Sequence, residues 1–433
     1  MTAKRLLSLA GIAALTVAMS GPAQADDGAD LPVTWQIADL SASEVSTLAN
    51  EGYDIARYAD GTAIIVGTDD VAEQLRADGY EPTFHDTIYK DTSPISTAED
   101  TFYGGYRTVE GHHAHLEQVA ADNPELATLH DIGDSWLKTQ GEGGHDILAI
   151  CLTNKNDGDC ELSPDSEKPR FSLMGQMHSR EIATGEIAQK WIDKLVAGYG
   201  TDDAVTELMD TTEMWVVPIA NPDGVDIVAS GGDSPVLHRK NANDSNGSCV
   251  GIDLNRNSSF GWGDDSTNPC SETYQGPSAA SEPEVSAIED WLRAIHPDQR
   301  EDALDAPAPD DARDVFISLH SYGEYIIVPW GFTDDTAPND AKLRELGAAM
   351  AEHNDYFVGT NTDTVGYGTS GTTDDMTYGE LGVASFTFEM GGNGWGSCAG
   401  FLPAYSCLDS ELWPINEGAL MVAAQAAAAP YAG

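Results

Sequence analysis

The chain has 433 residues, room for two or three domains at roughly 150 residues each. A hydrophobic fraction of 41%, with nine Trp, fifteen Tyr and ten Phe, supplies a large core and excludes disorder as the dominant state. Twenty-one Lys and Arg against 72 Asp and Glu give a formal charge of −51, a surface that repels phosphate backbones and anionic bilayers. Neither nucleic acid nor a membrane is therefore an expected partner.

In chain order, Lys4 and Arg5 precede an apolar run from Leu6 to Met19 and the small-residue site Ala23-Gln24-Ala25. This pattern predicts a signal peptide over residues 1–25, because the run is too short to cross a bilayer. Export to a secreted, extracellular location suits the six cysteines, an even number in three local pairs. Fifteen connectivities are possible, and spacing favours Cys151–Cys160, Cys249–Cys270 and Cys398–Cys407.

Residues 26 to about 95 read as a separate unit. Strand signals at Val33 to Ile37, Ile55 to Tyr58, Ala63 to Val66 and Glu81 to His85 interleave with helix signals at Ser43 to Asn50 and Val71 to Asp78. That β-α-β-β-α-β order predicts a small α+β ferredoxin-like module. The polar stretch Asp91 to Thr97 reads as its linker.

Beyond Thr101, strands and helices alternate. Helices are expected at Val109 to Asp122, Glu186 to Ala197, Glu282 to Ile295, Asp340 to His353 and Leu408 to Ala427. Short, continuous apolar runs at Ala127 to Ile132, Ile147 to Leu152, Arg170 to Met174, Glu213 to Pro218, Val315 to Leu319, Tyr325 to Val328 and Ala384 to Phe388 predict strands buried on both faces. The fold class is α/β, a mixed, largely parallel central sheet with helices on both faces.

The neighbouring His112, His113 and His115 read as a chance cluster or a weak adventitious metal site. His178 is different. It follows the strand ending at Met174, and Glu181 stands three residues on, so both can face one ion. His320 directly follows a second strand. Strand ends in an α/β sheet open on one edge, where ligands bind. Two His and one Glu are the usual ligand count of a catalytic zinc. Glu389 ends a third strand and is placed to act as general base toward an attacking water. Arg256, in Asp253-Leu254-Asn255-Arg256-Asn257, is suited to bidentate capture of a carboxylate.

With His178-Ser-Arg-Glu181, Asn221-Pro-Asp-Gly224, Cys249 through Asn257, Cys270 through Gly276, His320-Ser-Tyr322, Tyr367 through Asp375 and Phe386-Thr-Phe-Glu389 in this order, the chain resembles the secreted zinc carboxypeptidases of the A/B family, in particular the bacterial carboxypeptidase T branch. The resemblance covers about residues 101–425. It implies one zinc held by His178, Glu181 and His320, with Glu389 as base. It implies Arg180 as a secondary substrate arginine, Asn255 and Arg256 as the clamp on a substrate's terminal carboxylate, and Tyr367 as a mobile tyrosine closing over it. It also implies a Cys249–Cys270 disulfide and an inhibitory propeptide over residues 26–97, cut off between about Lys90 and Tyr103, ahead of a catalytic domain over 98–433. Partners are then peptide or protein C-termini and the chain's own propeptide, with a monomer expected.

One departure stands out. The family pattern Arg-Lys-x-Arg reads Arg239-Lys240-Asn241-Ala242 here, so the arginine that stabilises the oxyanion is missing at its usual place. An uncompensated loss of that kind costs on the order of 10²–10³ in rate. Arg239 or Arg180 is the available substitute. The resemblance also places Asp374 at the base of the side-chain pocket, where Asp goes with Lys and Arg and an aliphatic residue with apolar ones. A one-residue slip would put Thr373 there instead, and a carboxylate tied to local amides would leave specificity broad. The leading reading is a metallocarboxypeptidase preferring basic C-terminal residues. The rival readings are a cell-wall stem-peptide peptidase of the same family and a pseudoenzyme that binds peptide without turnover.

Overall fold

The computed structural model describes residues 31–90, 100–392 and 396–432. The expected signal peptide and the linker stretch 91–97 lie outside the described residues. From Pro32 onward the chain packs as one unit.

Its first part is a four-stranded antiparallel sheet of β1 (Val33–Ile37), β2 (Asp54–Ala59), β3 (Thr62–Gly67) and β4 (Thr83–Thr87), in the order β2-β3-β1-β4. Helices α1 (Ala42–Glu51) and α2 (Asp69–Ala77) complete the expected β-α-β-β-α-β order. α1 starts with a capping box, in which the Ser41 and Glu44 side chains each accept the other residue's backbone N–H. It stops at Gly52, whose φ of 102° places it in the left-handed region that glycine adopts without penalty.

The hairpin β5 (Thr101–Phe102) and β6 (Tyr106–Arg107) leads into the main body. There β7 (Ala127–Asp134), β8 (Asp146–Leu152), β9 (Arg170–Met174), β10 (Glu213–Val217), β11 (Val315–His320), β12 (Tyr325–Ile327), β13 (Phe357–Gly359) and β14 (Ala384–Glu389) form one eight-stranded sheet. Its order is β13-β12-β14-β11-β9-β10-β8-β7, and the central run β14-β11-β9-β10 is parallel throughout. Helices flank it: α3 (Val109–Asp122), α4 (Trp136–Gln140), α5 (Ile182–Gly198), α6 (Asp203–Thr211), α7 (Pro222–Ala229), α8 (Pro283–Ile295), α9 (Asp340–Asn354), α10 (Asn361–Thr364), α11 (Thr373–Leu381) and α12 (Trp413–Ala426).

Strands β9, β10 and β11 are buried along their whole length, which is why they read as continuous apolar runs. Their period-2 pleat sorts side chains between two cores. Leu173, Val216 and Ile317 join the core that contains Trp191 and Leu195 of α5. Met174, Trp215 and Phe316 join the core of Trp291 and Leu292 from α8. Each such burial stabilises by about 1.5–3 kcal/mol, and truncating fully buried Trp191 to Ala would cost about 3–5 kcal/mol. The three disulfides pair as expected, Cys151–Cys160, Cys249–Cys270 and Cys398–Cys407.

The small module docks on the main body. Val66 and Ile88 share its core, the Tyr89 hydroxyl donates to the Pro235 carbonyl, and the Ser271 hydroxyl donates to the Ala49 carbonyl.

Candidate active site

The parallel strands deliver the site. β11 and β14 pair in register so that His320 and Glu389 occupy one rung at the carboxyl end of the sheet. β9, the other neighbour of β11, runs into the loop that carries His178 to Glu181. That loop turns sharply, with Gln176 at φ 44° and its N–H held by the Thr184 hydroxyl.

His178, Glu181 and His320 converge and are all buried. His178 Nδ1 lies 2.9 Å from Glu181 Oε1 and 3.0 Å from His320 Nδ1, which is 3.1 Å from Glu181 Oε2. The outer ring nitrogens are already engaged. His178 Nε2 meets Asp253 Oδ1 at 3.0 Å, and His320 Nε2 meets the Ser318 hydroxyl at 3.0 Å. With Nε2–H of His178 donated to Asp253, its Nδ1 lone pair faces the centre. Two imidazole nitrogens and a carboxylate aimed at one buried point form the donor set that a zinc ion satisfies, so these residues fit the metal.

Electrostatics follow from this crowding. Burial disfavours charge on Glu181, yet the two imidazoles hold its carboxyl well below the usual range. Burial, and then Arg239, lowers His178. Burial opposes charge on His320 too, but Glu181 outweighs it and the ring is raised. Glu389 is pushed up to about 7 by burial and by the negative charge of Glu181.

The remaining expected residues line the same pocket: Arg180, Arg239, Asn255, Arg256, Tyr367 and Asp374. Arg239 lies with its Nη1 4.0 Å from Glu181 and its Nη2 donating to Asp253 at 2.9 Å. Ala242 is buried outside the pocket wall. The segment's backbone is pinned by Asn241, which donates to Glu282 and Glu284 and accepts from the Ile252 N–H. Among the described residues, Arg239 is the arginine that stands against a member of the metal-ligand set, Glu181. Arg256 donates from Nε to Asp265 at 3.2 Å, and Asn255 accepts the Thr373 N–H at 3.1 Å.

The stretch around Asp374 begins helix α11 after Thr372, and Asp374 and Asp375 stand in its first turn. Thr373 turns to Asn255, Asp375 accepts from the Gly331 and Phe332 N–H groups, and Asp374 lines the pocket. Burial raises the Asp374 carboxyl, while Thr372 and local amides partly offset this.

Several contributors had no role in the sequence reading. Asp253 orients His178 and anchors Arg239. Its place two residues before Asn255-Arg256 was the available signal. Asp54 in β2 grips Arg180 through both carboxylate oxygens, with Asp54 Oδ1 2.8 Å from Arg180 Nη2. Phe401 underlies the same guanidinium, its ring centre 4.2 Å away. Ile55, Ala56 and Arg57 of β2 also line the pocket, and Tyr367 packs against the small module's core. The histidine cluster of α3 disperses: His112 turns to Gln189, His115 to Asp193, and His113 faces His145.

Fold, metal-ligand set and adjacent half-buried carboxylate define a zinc-dependent hydrolase on an α/β scaffold. The zinc carboxypeptidase profile (Peptidase_M14) matches residues 112–413, and the chain belongs to that family. It is 31% identical to carboxypeptidase A2 of Mus musculus over 323 residues, 72% of this chain and 68% of that protein. It is 29% identical to carboxypeptidase B of Bos taurus over 296 residues, 66% and 63% of the two chains. The matched segment thus spans about two-thirds of these relatives' length. Carboxypeptidase A from Helicoverpa armigera superposes with a TM-score of 0.73 at 22% identity, covering 92% of this chain and 98% of that one. Thrombin activatable fibrinolysis inhibitor superposes with a TM-score of 0.69, also at 22% identity, covering 92% of this chain and 98% of that one. These two likenesses establish the fold. The narrower likeness to the carboxypeptidase T branch stays an expectation of the sequence.

Proposed function

We propose that the protein is a secreted metallocarboxypeptidase precursor that removes Lys and Arg from peptide C-termini once residues 26–97 are cut away. The observation that carries the specificity is Asp374, a buried carboxylate in the wall of the pocket that also holds Asn255, Arg256 and the metal-ligand set. A partly desolvated carboxylate attracts a cationic side chain and penalises an apolar one.

Zinc, when bound, supplies a Lewis acid and lowers the pKa of a coordinated water. The chain's own residues do the rest. Arg256 and Asn255 hold the terminal carboxylate, which restricts cleavage to the last peptide bond. Arg239 meets the scissile carbonyl oxygen, and Arg180 contacts the substrate further along the cleft. Glu389 accepts a proton from the attacking water and delivers it to the leaving amine. Tyr367, freed from the small module, closes over the bound residue.

The grip of Asp54 on Arg180, with Ile55 to Arg57 in the pocket, supports a propeptide that inhibits by occupying the substrate site. The leader-like residues 1–25 and the three disulfides support secretion. The test compares kcat/KM of the processed enzyme on substrates differing only in a final Arg, Lys, Leu or Phe. Arg and Lys are expected to lead, and Asp374→Ile to reverse the order. A clear preference for Leu or Phe in the wild type overturns the assignment.

A further inference from the structure

A second cluster of metal-type donors lies outside the catalytic pocket. Glu110 in the first turn of α3, His145 before β8 and Asp226 on α7 present one ligand atom each, all within 4.8 Å of one another. His145 Nε2 lies 2.6 Å from Asp226 Oδ2. His113, one turn along α3 from Glu110, stands edge-on to His145 with ring centres 6.0 Å apart. The donors come from three separate segments, so local sequence does not account for their meeting.

The supports beneath them are rigid. Val109 of α3, Ile219 in the turn ahead of α7 and Val225 of α7 form a small buried cluster between the two helices. The backbone of His145 is pinned on both sides: its N–H donates to the Ser135 hydroxyl at 2.9 Å, and its carbonyl accepts the Ser135 N–H at 3.0 Å. Asp223 of α7 accepts from that hydroxyl and from the Leu137 N–H, strapping the 135–145 segment to the helix. Glu110 and Asp226 are exposed, so an ion can enter from solvent.

We propose that Glu110, His145 and Asp226 bind a second divalent cation of the zinc type, with water in the fourth position and His113 beside it. The mixture of imidazole and carboxylate donors suits zinc, whereas calcium takes oxygen ligands only. The ion would lock α3 to α7. The first residue before α7, Asn221, donates to the Met177 and Lys240 carbonyls, in the segments that carry His178 and Arg239. The site is thus one hydrogen-bonded step from the catalytic loops.

The test is zinc titration of the full, untagged, metal-stripped chain, with bound metal counted after equilibrium dialysis. Two equivalents are expected in the wild type, and one in His145→Gln and in Asp226→Asn, the latter a nearly isosteric change that guards against a folding defect. His320→Ala is expected to retain the second site while losing the first. His113→Ala should weaken the second site about tenfold, the effect of an outer partner rather than a ligand. Excess calcium should leave the count unchanged. A single equivalent in the wild type, or two in both His145→Gln and Asp226→Asn, overturns the proposal.

Discussion

Removing the charge of Asp54 should wake the unprocessed chain. Arg180 is 1% exposed at its side chain and Asp54 16%, so the pair is largely shielded from solvent. Hydrogen bonds to charged groups contribute about 1.5–3 kcal/mol, and stranding a buried partner costs about 3–5 kcal/mol. Glu272 lies 4.0 Å from Arg180 and would take over part of the pairing. A net loss of about 2–3 kcal/mol in docking is expected for Asp54→Asn, or roughly 30- to 150-fold in the opening equilibrium. The assay is the initial rate of the uncleaved chain on a short peptide ending in Arg, with cleavage monitored by mass. The uncleaved variant should be more active than the uncleaved wild type by that factor, while the two processed enzymes should match, because Asp54 is absent from both. If uncleaved Asp54→Asn is as silent as the wild type, the Asp54–Arg180 pair does not hold the module in place.

Glu389→Gln should retain fold and zinc but lose about 10²–10⁴ in kcat, and activity within tenfold of wild type would remove Glu389 as base. His320→Ala should lose the catalytic zinc, and full retention at that site by metal analysis would sink the ligand assignment. Glu284, buried in contact with Asn241 and the Trp136 N–H, has its carboxyl raised from 4.5 to about 7, chiefly by burial. A raised acid favours the fold when protonated, so its contribution is full below about pH 4.5, falls as pH rises to about 7 and is flat above. The change is about 3 kcal/mol. Denaturant melts at pH 4.5 and 7.5 should show this fall in the wild type and lose it in Glu284→Gln; equal pH slopes in the two proteins would contradict it.

The main sheet was legible because strands buried on both faces announce themselves as short apolar runs. Strand ends then point to His178, His320 and Glu389. Helix α3 was legible to the residue, since Val109, Leu116 and Val119 mark one buried face. Helix α11 was not, because Thr373 to Gly379 are buried all round and leave no amphipathic stripe. Strand β13 escaped notice because only three residues pair, at the sheet edge. Asp54 carried no sign of its partner: its meaning resides in Arg180, 126 positions away. The three histidines of α3 looked like one group and serve three different neighbours, since helical spacing turns adjacent positions to different faces.

The shared rung of His320 and Glu389 also bears on how such a protein diversifies. Both residues are locked to adjacent strands by the backbone ladder, at a spacing that no loop sets. Arg180 and Arg239 lie instead on connections between elements, Asn255 and Arg256 on a single 3-10 turn within such a connection, and Asp374 on the first turn of a helix. Insertions, deletions and exchanges in those connections can therefore remodel which residue is recognised without disturbing the distance between metal ligand and proton acceptor. New substrate preference is reachable by small steps from this chain, whereas new chemistry would require re-registering the sheet itself.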